Sequence, residues 1–308
     1  MSIAQLVKFG NGRVEEHAAF GERTTYRVGG TVRALATLAS TKDLEELGPL
    51  ITQSAPPLFV LGNGSNLLVA DGEHDVLGLH LVDEFAELHW RDDGDVVIVR
   101  AGAGLDLPVA ARRLCAEGIV GFEWAVGVPG TFGGAAVMNA GGHGSDMAVS
   151  VSEVETWHDG AARAWSLPEL KFSYRSSALD AGHVVTSVTL QLARGDRDAA
   201  KKELSEIVRW RREHQPGGAN AGSVFQNPEG GHAGQLIEAA GCKGLRVGSA
   251  TVSEKHANFI LVDADGRAND VYELLELVQA RVLQSSGVQL KSEHRFLGFE
   301  GSQRAGVA

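Results

Sequence analysis

Apolar positions recur along the chain with two different spacings, which predicts a mixed fold of strands and helices. Short apolar runs predict strands at 32–40, 57–62, 95–104 and 257–263. Amphipathic spacing predicts helices at 41–51, 106–118, 197–215, 234–240 and 269–284. The segment 151–193 is predicted to be rich in strands, because it ends in the alternating run VVTSVTLQL.

Single residues refine three of these helices. Thr41 is the predicted N-cap of the helix at 41–51, and Gly118 is predicted to end the helix at 106–118. The charged helix at 197–215 needs an apolar stripe, for which the sequence offers Leu204, Ile207, Val208 and Trp210. The segment PGGANAG that follows this helix predicts a flexible connector.

The length and a change in composition predict the domain organisation. A chain of 308 residues exceeds the roughly 100–200 residues of an average domain, so we expect more than one. The strand-rich pattern gives way to the long charged helix near residue 200. We therefore predict two lobes at 1–80 and 81–199, a C-terminal domain at 200–300 and a frayed tail at 301–308.

Charge and composition exclude several classes of function. The formal net charge of −11 argues against a nucleic-acid-binding protein and against a polybasic membrane-surface protein. We expect no signal peptide and no membrane span, since no apolar run approaches roughly 18 residues. The cysteines Cys115 and Cys242 form no CxxC pair, so we expect a cytoplasmic protein without a disulfide framework or a metal site.

Three stretches are candidates for approaching a phosphate group, and two of them are glycine-rich loops. The first, VLGNGSNLLVADG (60–72), follows a predicted strand and places Gly62 and Gly64 beside Ser65 and Asn66. It is not a dinucleotide-binding fingerprint, because Leu67 stands where a third glycine is needed. A tight turn without a ligand is the alternative interpretation.

The second loop, VGVPGTFGGAAVMNAGGHGSD (126–146), contains seven glycines in 21 residues. Each glycine loses more conformational entropy on folding than other residues do, by roughly 0.5–1 kcal/mol relative to alanine. Such a loop is expected to be shaped around a ligand. The alternative is that its glycines only permit close packing of chain segments.

A third stretch, NAGSVFQNP (220–228), presents Ser223 among small turn residues. The hydroxyl is a candidate nucleophile, a candidate proton donor or an ordinary turn serine. The nucleophile hypothesis is the weakest, because the residue two positions after Ser223 is Phe225 rather than the glycine of G-x-S-x-G.

Eight stretches in order resemble one known family: TTYRVGG (24–30), LGNGSNLLV (61–69), GVPGTFGGAAVMNAG (127–141), YRSS (174–177), GSVFQNP (222–228), AGQLIEAAGCKGLRVG (233–248), VSEKHANFI (252–260) and LKSEHRFLG (290–298). The family is UDP-N-acetylenolpyruvoylglucosamine reductase, also called UDP-N-acetylmuramate dehydrogenase (MurB). The resemblance runs from about residue 20 to residue 298. The separation of Arg175 and Ser223 resembles the family's shorter subclass.

This resemblance implies an α+β fold, with a two-lobed FAD-binding module of the vanillyl-alcohol-oxidase (PCMH) type followed by an α/β substrate-binding domain. It implies noncovalent FAD, NADPH as co-substrate, and reduction of UDP-N-acetylglucosamine enolpyruvate to UDP-N-acetylmuramate in cytoplasmic peptidoglycan precursor synthesis. The chain is expected to act as a monomer. The implied FAD-binding residues are Gly62, Asn63, Gly64, Ser65, Asn66, Gly127, Pro129, Gly130, Thr131, Gly133, Gly134, Asn139, Ala140 and Gly141.

The resemblance also implies three catalytic residues. Flavin N5 gives a hydride to the enolpyruvyl double bond, and Ser223 gives a proton to the adjacent carbon. Arg175 matches the family's catalytic arginine, whose guanidinium suits a carboxylate on which charge develops. Glu293 matches its second acidic residue, which is expected across the site from Ser223.

Residues near these motifs are candidates for binding an anionic nucleotide sugar. The implied substrate-binding residues are Tyr174, Gln226, Asn227, Lys243 and His256, with Arg246, Lys255 and Arg295 as further nearby cations. Three positions depart from the family: Gln226 replaces a usual lysine, His294 replaces a usual valine, and His143 replaces a residue in a loop that is more often aromatic. His143 is expected to be structural, because the family holds FAD noncovalently.

Three alternative functions remain open at this stage. A diverged FAD oxidoreductase of the same fold, acting on another small substrate, is favoured by the departures at Gln226 and His294. A nucleotide-sugar binder without flavin is disfavoured by the intact glycine loops. A serine hydrolase is disfavoured by the missing G-x-S-x-G motif.

Overall fold

The computed structural model describes residues 13–53, 57–158, 160–180 and 182–299. The strands are β1 Val14–Ala18, β2 Thr31–Leu38, β3 Leu58–Leu61, β4 Leu67–Val69, β5 Glu73–Leu81, β6 Leu88–Asp93, β7 Val96–Gly102, β8 Ile119–Val120, β9 Gly141–Gly142, β10 Ser145–Asp146, β11 Val151–His158, β12 Ala161–Ser166, β13 Val184–Arg194, β14 Arg246–Val247, β15 Ala250–Val252, β16 Ile260–Val262 and β17 Arg295–Leu297. The α-helices are α1 Thr41–Gln53, α2 Leu107–Ala116, α3 Phe132–Met138, α4 Met147–Ser150, α5 Leu167–Leu170, α6 Arg197–His214, α7 Ala233–Ala239 and α8 Ala268–Ser286.

The first sheet has the strand order β1–β2–β5–β3. Strand β1 is antiparallel to β2, whereas β5 runs parallel to both β2 and β3. Helix α1 provides the crossover that parallel strands require. The predicted N-cap is wrong by one residue: Ser40 Oγ accepts from the Asp43 N–H at 3.3 Å, and the Asp43 carboxylate accepts from the Ser40 N–H at 3.1 Å. Thr41 is therefore the first residue inside the helix.

The second sheet is antiparallel, in the order β12–β11–β13–β7–β6, with β8 added beside β13. This arrangement confirms the strand-rich segment and the strand that the sequence predicts at 95–104. Helix α2 packs near this sheet, and Gly118 follows it at a φ of +69° with its N–H donating to the Cys115 carbonyl. A positive φ suits glycine, so Gly118 ends the helical segment as predicted.

Helix α6 packs against the core of the first two sheets through Ala200, Leu204 and Ile207. The predicted burial of Val208 and Trp210 is wrong, because their residues are 42% and 44% exposed. Helical spacing carries the buried stripe from 200, 204 and 207 on to position 211 instead. Val208 and Trp210 fall on the two flanks of that stripe.

The last third of the chain forms a small antiparallel sheet, β14–β15–β16, with helices α7 and α8 beside it. Helix α8 buries one apolar face formed by Val271, Leu274, Leu275, Val278 and Val282. The helices predicted at 234–240 and 269–284 are confirmed with ends shifted by one or two residues. The strand predicted at 257–263 is shorter, because residues before Ile260 form a turn instead.

The end of the chain returns to its first third. Strand β17 pairs in parallel with β4, and the core of the last third includes Tyr26, Val28 and Leu68. The Asp71 carboxylate accepts from the N–H groups of Ala268 and Asn269 at 3.2 and 3.4 Å, at the start of α8. These contacts fix the last third against the first lobe. The boundaries at 80 and 200 stay predictions.

The remaining expectations concern the tail, the cysteines, membrane spans and metal sites. The tail predicted at 301–308 lies beyond the described residues. Cys115 and Cys242 are buried free thiols. Among the helices that the structure describes, none is long and apolar enough to cross a membrane, and within the same ranges no cluster of His, Cys, Asp and Glu side chains has the arrangement of a metal site.

Candidate active site

The two glycine loops face one another across a cavity of about 190 Å³. The first loop leaves β3, and the second leads into α3. We call this space the glycine-loop cavity. Predicted residues that line it are Gly62, Asn63, Gly64, Ser65, Asn66, Gly127, Pro129, Gly130, Thr131, Gly134, Ala140 and Gly141.

Close packing between the loops explains why some of these positions are glycine. A Cβ on Gly62 would lie 2.5 Å from the Thr131 Oγ1, and a Cβ on Gly64 would lie 2.6 Å from the Thr24 Cα. Gly64 also has a φ of +58°, a conformation that favours glycine. These close contacts require glycine at both positions, and they bring the loop backbones to the wall of the cavity.

The backbone of the first loop offers hydrogen-bond donors. Within the described ranges, the N–H groups of residues 63–66 donate to no other group of the chain. Successive free N–H groups in a turn form a concave anion-binding surface. The opposite side of the cavity supplies apolar surface from Leu107, Val128, Ala135, Met138 and Phe259. Free donors beside apolar walls fit a group that combines a diphosphate with flat rings, as FAD does.

Ser223 lies at the junction of the glycine-loop cavity with a second cavity of about 380 Å³. The next two residues are held firmly: Val224 N–H donates to the Asn258 carbonyl at 2.9 Å, and Phe225 N–H donates to its Oδ1 at 2.9 Å. The Glu293 N–H donates to the Val224 carbonyl at 2.8 Å from the other side. The half-buried Ser223 hydroxyl has no hydrogen-bond partner among the described residues, which leaves it available to a ligand.

Arg175 reaches the same junction from a tight turn. Reciprocal backbone hydrogen bonds of 3.0 and 3.1 Å between Ser173 and Ser176 close this turn. Arg175 has a φ of +56°, which is costly for a residue with a Cβ and points to a functional constraint. Its guanidinium donates to the Gly141 carbonyl at 3.0 Å, and its Nε lies 2.6 Å from Glu293 Oε1.

Glu293 and Arg175 form an ion pair that is largely hidden from solvent. Their side chains are only 16% and 20% exposed. Burial raises the pKa of Glu293 above its usual range, and the positive charge of Arg175 opposes that rise. At neutral pH the Glu293 carboxyl group is therefore protonated more often than the carboxyl group of an exposed glutamate.

Comparison with known proteins agrees with this geometry. The family model described as UDP-N-acetylenolpyruvoylglucosamine reductase, C-terminal domain, matches residues 214–297, and the FAD binding domain model matches residues 32–159. A UDP-N-acetylenolpyruvoylglucosamine reductase from Synechococcus sp. (strain WH7803) is 42% identical over 296 residues, which cover 94% of each chain. The chain belongs to the UDP-N-acetylenolpyruvoylglucosamine reductase family.

Other members of this reductase family agree in length and fold. UDP-N-acetylenolpyruvoylglucosamine reductase 2 from Symbiobacterium thermophilum is 40% identical over 290 residues, or 93% of each chain. The crystal structure of the reductase (MurB) from Thermus caldophilus superposes with a TM-score of 0.79 at 36% identity, covering 92% of this chain and 99% of that one. The predicted fold class is thereby confirmed, and the chain is an FAD-dependent oxidoreductase.

The second cavity, which we call the cation cavity, contains most of the predicted substrate-binding residues. Its lining includes Tyr174, Asn227, Lys243, Lys255 and His256. Burial lowers the pKa of His256, and the nearby Lys243 charge lowers it further. The imidazole is therefore mostly neutral at pH 7. The positive charge of this cavity comes from Lys255, Arg175 and Lys243, whose ammonium pairs with Glu238 at 2.7 Å.

Several predicted residues lie elsewhere. Gln226 lines neither cavity, although its neighbours Phe225 and Asn227 line the cation cavity. Successive side chains of an extended segment alternate between faces, so position 226 is turned away. Arg246 forms an ion pair with Asp263, and the Arg295 Nε donates to the Met138 Sδ at 3.2 Å. Neither arginine lines the two cavities.

Three residues of the second glycine loop do not line the glycine-loop cavity: Asn139, Gly133 and His143. Asn139 ends α3 with a φ of 41° and donates to the Ser173 carbonyl at 3.0 Å, so it supports the turn that carries Arg175. Gly133 lines only a small neighbouring cavity of about 20 Å³. His143 packs edge-to-face on Trp210, with ring centroids 5.3 Å apart, and lines neither cavity. These surroundings agree with the structural role expected for His143.

Sequence reasoning missed Arg211, which lines the glycine-loop cavity from helix α6. Its Nε donates to the Gln215 Oε1 at 2.8 Å, and burial lowers the pKa of its guanidinium. The arginines of the run RWRREH have similar sequence neighbours, so the residues around them do not identify Arg211. The only distinguishing signal is that the helical spacing of the buried positions continues to position 211.

Proposed function

We propose that the chain reduces UDP-N-acetylglucosamine enolpyruvate to UDP-N-acetylmuramate with NADPH, a step of peptidoglycan precursor synthesis. The observation that carries this proposal is the meeting of Arg175, Ser223 and Glu293 between the glycine-loop cavity and the cation cavity. These residues come from three distant segments. Family membership supports the reductase reaction, and the two cavities fit a flavin and an anionic nucleotide sugar respectively.

The glycine-loop cavity is the proposed seat of FAD. The free N–H groups of residues 63–66 would hold its diphosphate, and the apolar wall would hold flat rings. FAD bound there would supply the hydride chemistry between NADPH and the enolpyruvyl double bond. The protein must then bind the carboxylate of the substrate, stabilise its developing charge and deliver one proton.

Arg175 is proposed to bind the enolpyruvyl carboxylate. A guanidinium remains protonated and has several N–H donors, so it can pair with Glu293 and still face a second carboxylate. Anchorage to the Gly141 carbonyl fixes its position before substrate arrives. Preorganised charge of this kind stabilises a transition state without rearrangement.

Ser223 is proposed to donate the proton, with Glu293 supporting the transfer. A hydroxyl is a weak acid and suits only a strongly basic acceptor, such as a carbon that has gained electron density. Both residues line the glycine-loop cavity and the cation cavity. The raised pKa of Glu293 allows its carboxyl group to return a proton to the serine, directly or through a water.

The cation cavity is proposed to hold the nucleotide part of the substrate. Lys255 supplies positive charge to this cavity, whereas the charge of Lys243 is paired with Glu238 at 2.7 Å. The Lys255 ammonium donates to the Arg212 carbonyl at 2.7 Å, and no carboxylate partner of Lys255 occurs among the described residues. An unpaired ammonium favours a diphosphate. Cytoplasmic location and a monomeric state remain predictions.

Separate measurement of the two half-reactions tests this proposal. Ser223→Ala is expected to leave flavin reduction by NADPH nearly unchanged and to slow oxidation by the enolpyruvyl substrate by about 10²–10⁴-fold, the usual contribution of a placed proton donor. Ser205→Ala is the matched control, because Ser205 is exposed on α6 and its hydroxyl only bonds the Lys201 carbonyl.

Two outcomes would contradict parts of the proposal. Equal loss of both half-reactions in Ser223→Ala would exclude the proton-donor role. A wild-type protein that carries FAD and oxidises NADPH, yet leaves the enolpyruvyl substrate unchanged, would instead favour a diverged oxidoreductase acting on another small substrate.

A further inference from the structure

A buried chain of hydrogen bonds connects the glycine loop to the catalytic segments. The Tyr26 hydroxyl lies 3.0 Å from the His294 Nε2, and the His294 Nδ1 lies 3.1 Å from the Asn66 Oδ1. The Asn66 Nδ2 lies 2.9 Å from the Glu293 carbonyl oxygen.

The Glu293 carbonyl and the neutral form of the imidazole determine which atom donates in each bond. The Glu293 carbonyl only accepts, so the Asn66 Nδ2 donates to it and the Asn66 Oδ1 faces His294 as an acceptor. The His294 Nδ1 must then carry a proton. The Nε2 of the neutral imidazole is then an acceptor, so the Tyr26 hydroxyl donates its proton to it. One neutral tautomer, with the proton on Nδ1, satisfies every member.

The surroundings of His294 keep it in that neutral form. The residue is 5% exposed, and burial lowers its pKa to about 4. The Tyr26 ring packs edge-to-face on the imidazole, with centroids 5.6 Å apart. A buried polar group left without its partner costs more than the bond itself contributes, so the imidazole is held by both neighbours.

The network connects the FAD-binding loop to the segment that carries Ser223. Asn66 lines the glycine-loop cavity, and its backbone carbonyl accepts from the Arg295 N–H at 2.9 Å. Glu293 continues to the segment of Ser223 through its N–H bond to the Val224 carbonyl. A shift of the Asn66 amide would therefore move the loop that faces the cofactor and the backbone that carries the acid.

We propose that His294 is a positioning residue that fixes the amide orientation of Asn66 and thereby holds the FAD-binding loop in register with Glu293 and Ser223. The first consequence of this positioning concerns FAD binding alone. Its second, an effect on the proton-transfer half-reaction, rests on the proposed function. None of the residues that line the two cavities is replaced in the test below.

Three variants separate positioning from packing. His294→Val removes both hydrogen bonds of the imidazole. His294→Asn keeps an N–H donor close to the position of Nδ1 and so retains the bond to Asn66. Tyr26→Phe removes the distant hydroxyl and leaves the bond between His294 and Asn66 intact.

The first measurement is the dissociation constant of FAD, from flavin fluorescence on serial dilution of the holoenzyme. His294→Val is expected to raise it about 3- to 10-fold, the range that one neutral hydrogen bond supports. His294→Asn and Tyr26→Phe are expected to stay within about 2-fold of wild type. Equal FAD affinity in all variants, with a lowered melting temperature in each, would show that His294 only packs and would overturn the proposal.

The second measurement determines the tautomer of His294 in the wild-type holoenzyme. Nitrogen-15 spectra of histidine-labelled holoenzyme are expected to show one buried imidazole with its proton on Nδ1 that does not titrate between about pH 5 and pH 8. Its signal is assigned by its absence from His294→Asn. A proton on Nε2, or titration in this range, would overturn the proposal.

The third measurement distinguishes failure of this proposal from failure of the proposed function. In the enolpyruvyl half-reaction, His294→Val is expected to lower kcat about 3- to 10-fold with little change in KM, because the substrate cations are untouched. A raised KM with unchanged kcat would contradict the positioning of Glu293 and Ser223. If wild type does not reduce the enolpyruvyl substrate, the function fails while the FAD measurement still decides the role of His294.

Discussion

The two walls of the active-site cleft are built on different principles. The glycine-loop wall presents backbone N–H groups from one short stretch, residues 63–66, with neighbouring glycines packed against other backbone. The catalytic wall presents side chains: Arg175 and Glu293 form a hidden ion pair, and Ser223 lines the same cavity with a hydroxyl that has no hydrogen-bond partner among the described residues. Binding at the first wall depends on the shape of the backbone, whereas reaction at the second wall depends on which side chains are present.

The largest effect is expected on the catalytic wall. Arg175→Ala removes the cation that faces the substrate carboxylate and leaves the Glu293 carboxylate buried without its partner. We expect the enolpyruvyl half-reaction to slow about 10²–10³-fold, as for loss of one charge-stabilising donor, while flavin reduction changes little. Stopped-flow measurement of both half-reactions checks this.

Arg100→Ala is the matched control for that variant. Arg100 forms an ion pair of 2.6 Å with Glu155, but its side chain is half exposed and lies outside both cavities. Little change in either half-reaction is expected, because exposed ion pairs contribute about 0–1 kcal/mol. A comparable loss in both variants would show that the catalytic wall depends on fold stability rather than on the identity of Arg175.

A smaller effect is expected on the glycine-loop wall. Gly64→Ala places a Cβ against the Thr24 backbone at a φ of +58°, so the loop must shift. Strain of this kind costs on the order of 1–3 kcal/mol, and we expect FAD affinity to fall about 10- to 100-fold. Fluorescence titration of released flavin measures it.

Gly94→Ala isolates the conformational part of this cost. Gly94 has a φ of +63° in the turn between β6 and β7, and a Cβ at this position would meet no atom within 4 Å among the described residues. We expect a loss of about 1 kcal/mol in the free energy of unfolding and unchanged FAD affinity. If Gly64→Ala also left FAD affinity unchanged, the backbone wall would not bind the cofactor.

The smallest effect concerns His294, which lies between the walls. Its pKa is lowered from 6.5 to about 4, so the unfolded chain binds a proton in this range that the folded protein does not. The contribution of neutral His294 to the free energy of unfolding is fully present above about pH 6.5 and is lost as the pH falls towards 4. Between about pH 7.5 and pH 5.5 the free energy of unfolding should fall about 1 kcal/mol more in wild type than in His294→Val. Parallel pH profiles in urea unfolding would contradict this.

The two walls also differ in how well the sequence predicts them. A glycine loop is specified locally, so its residues can be recognised within a few positions, and most of those predicted line the cavity. Arg175, Ser223 and Glu293 were identified by resemblance, since their proximity depends on contacts between distant segments. Long-range contacts leave no local pattern in one sequence.

The wrong and missed residues have the same physical origin. Gln226 stays a predicted substrate-binding residue, although extended geometry turns it away from its two cavity-lining neighbours. Trp210 was predicted to be buried and Arg211 was overlooked, because composition alone does not show which face of α6 packs on the core. The departure at His294 was visible in the sequence, whereas its bonds to Tyr26 and Asn66 required the fold.

The pairing of β17 with β4 has a consequence for how the protein matures. Strand β4 directly follows the first glycine loop, and its partner lies within the last fifteen residues of the chain. Contacts this distant in sequence form late during folding. A nascent chain therefore cannot complete the cofactor loop until Leu297 has left the ribosome. We expect ribosome-bound chains that end before β17 to remain flavin-free.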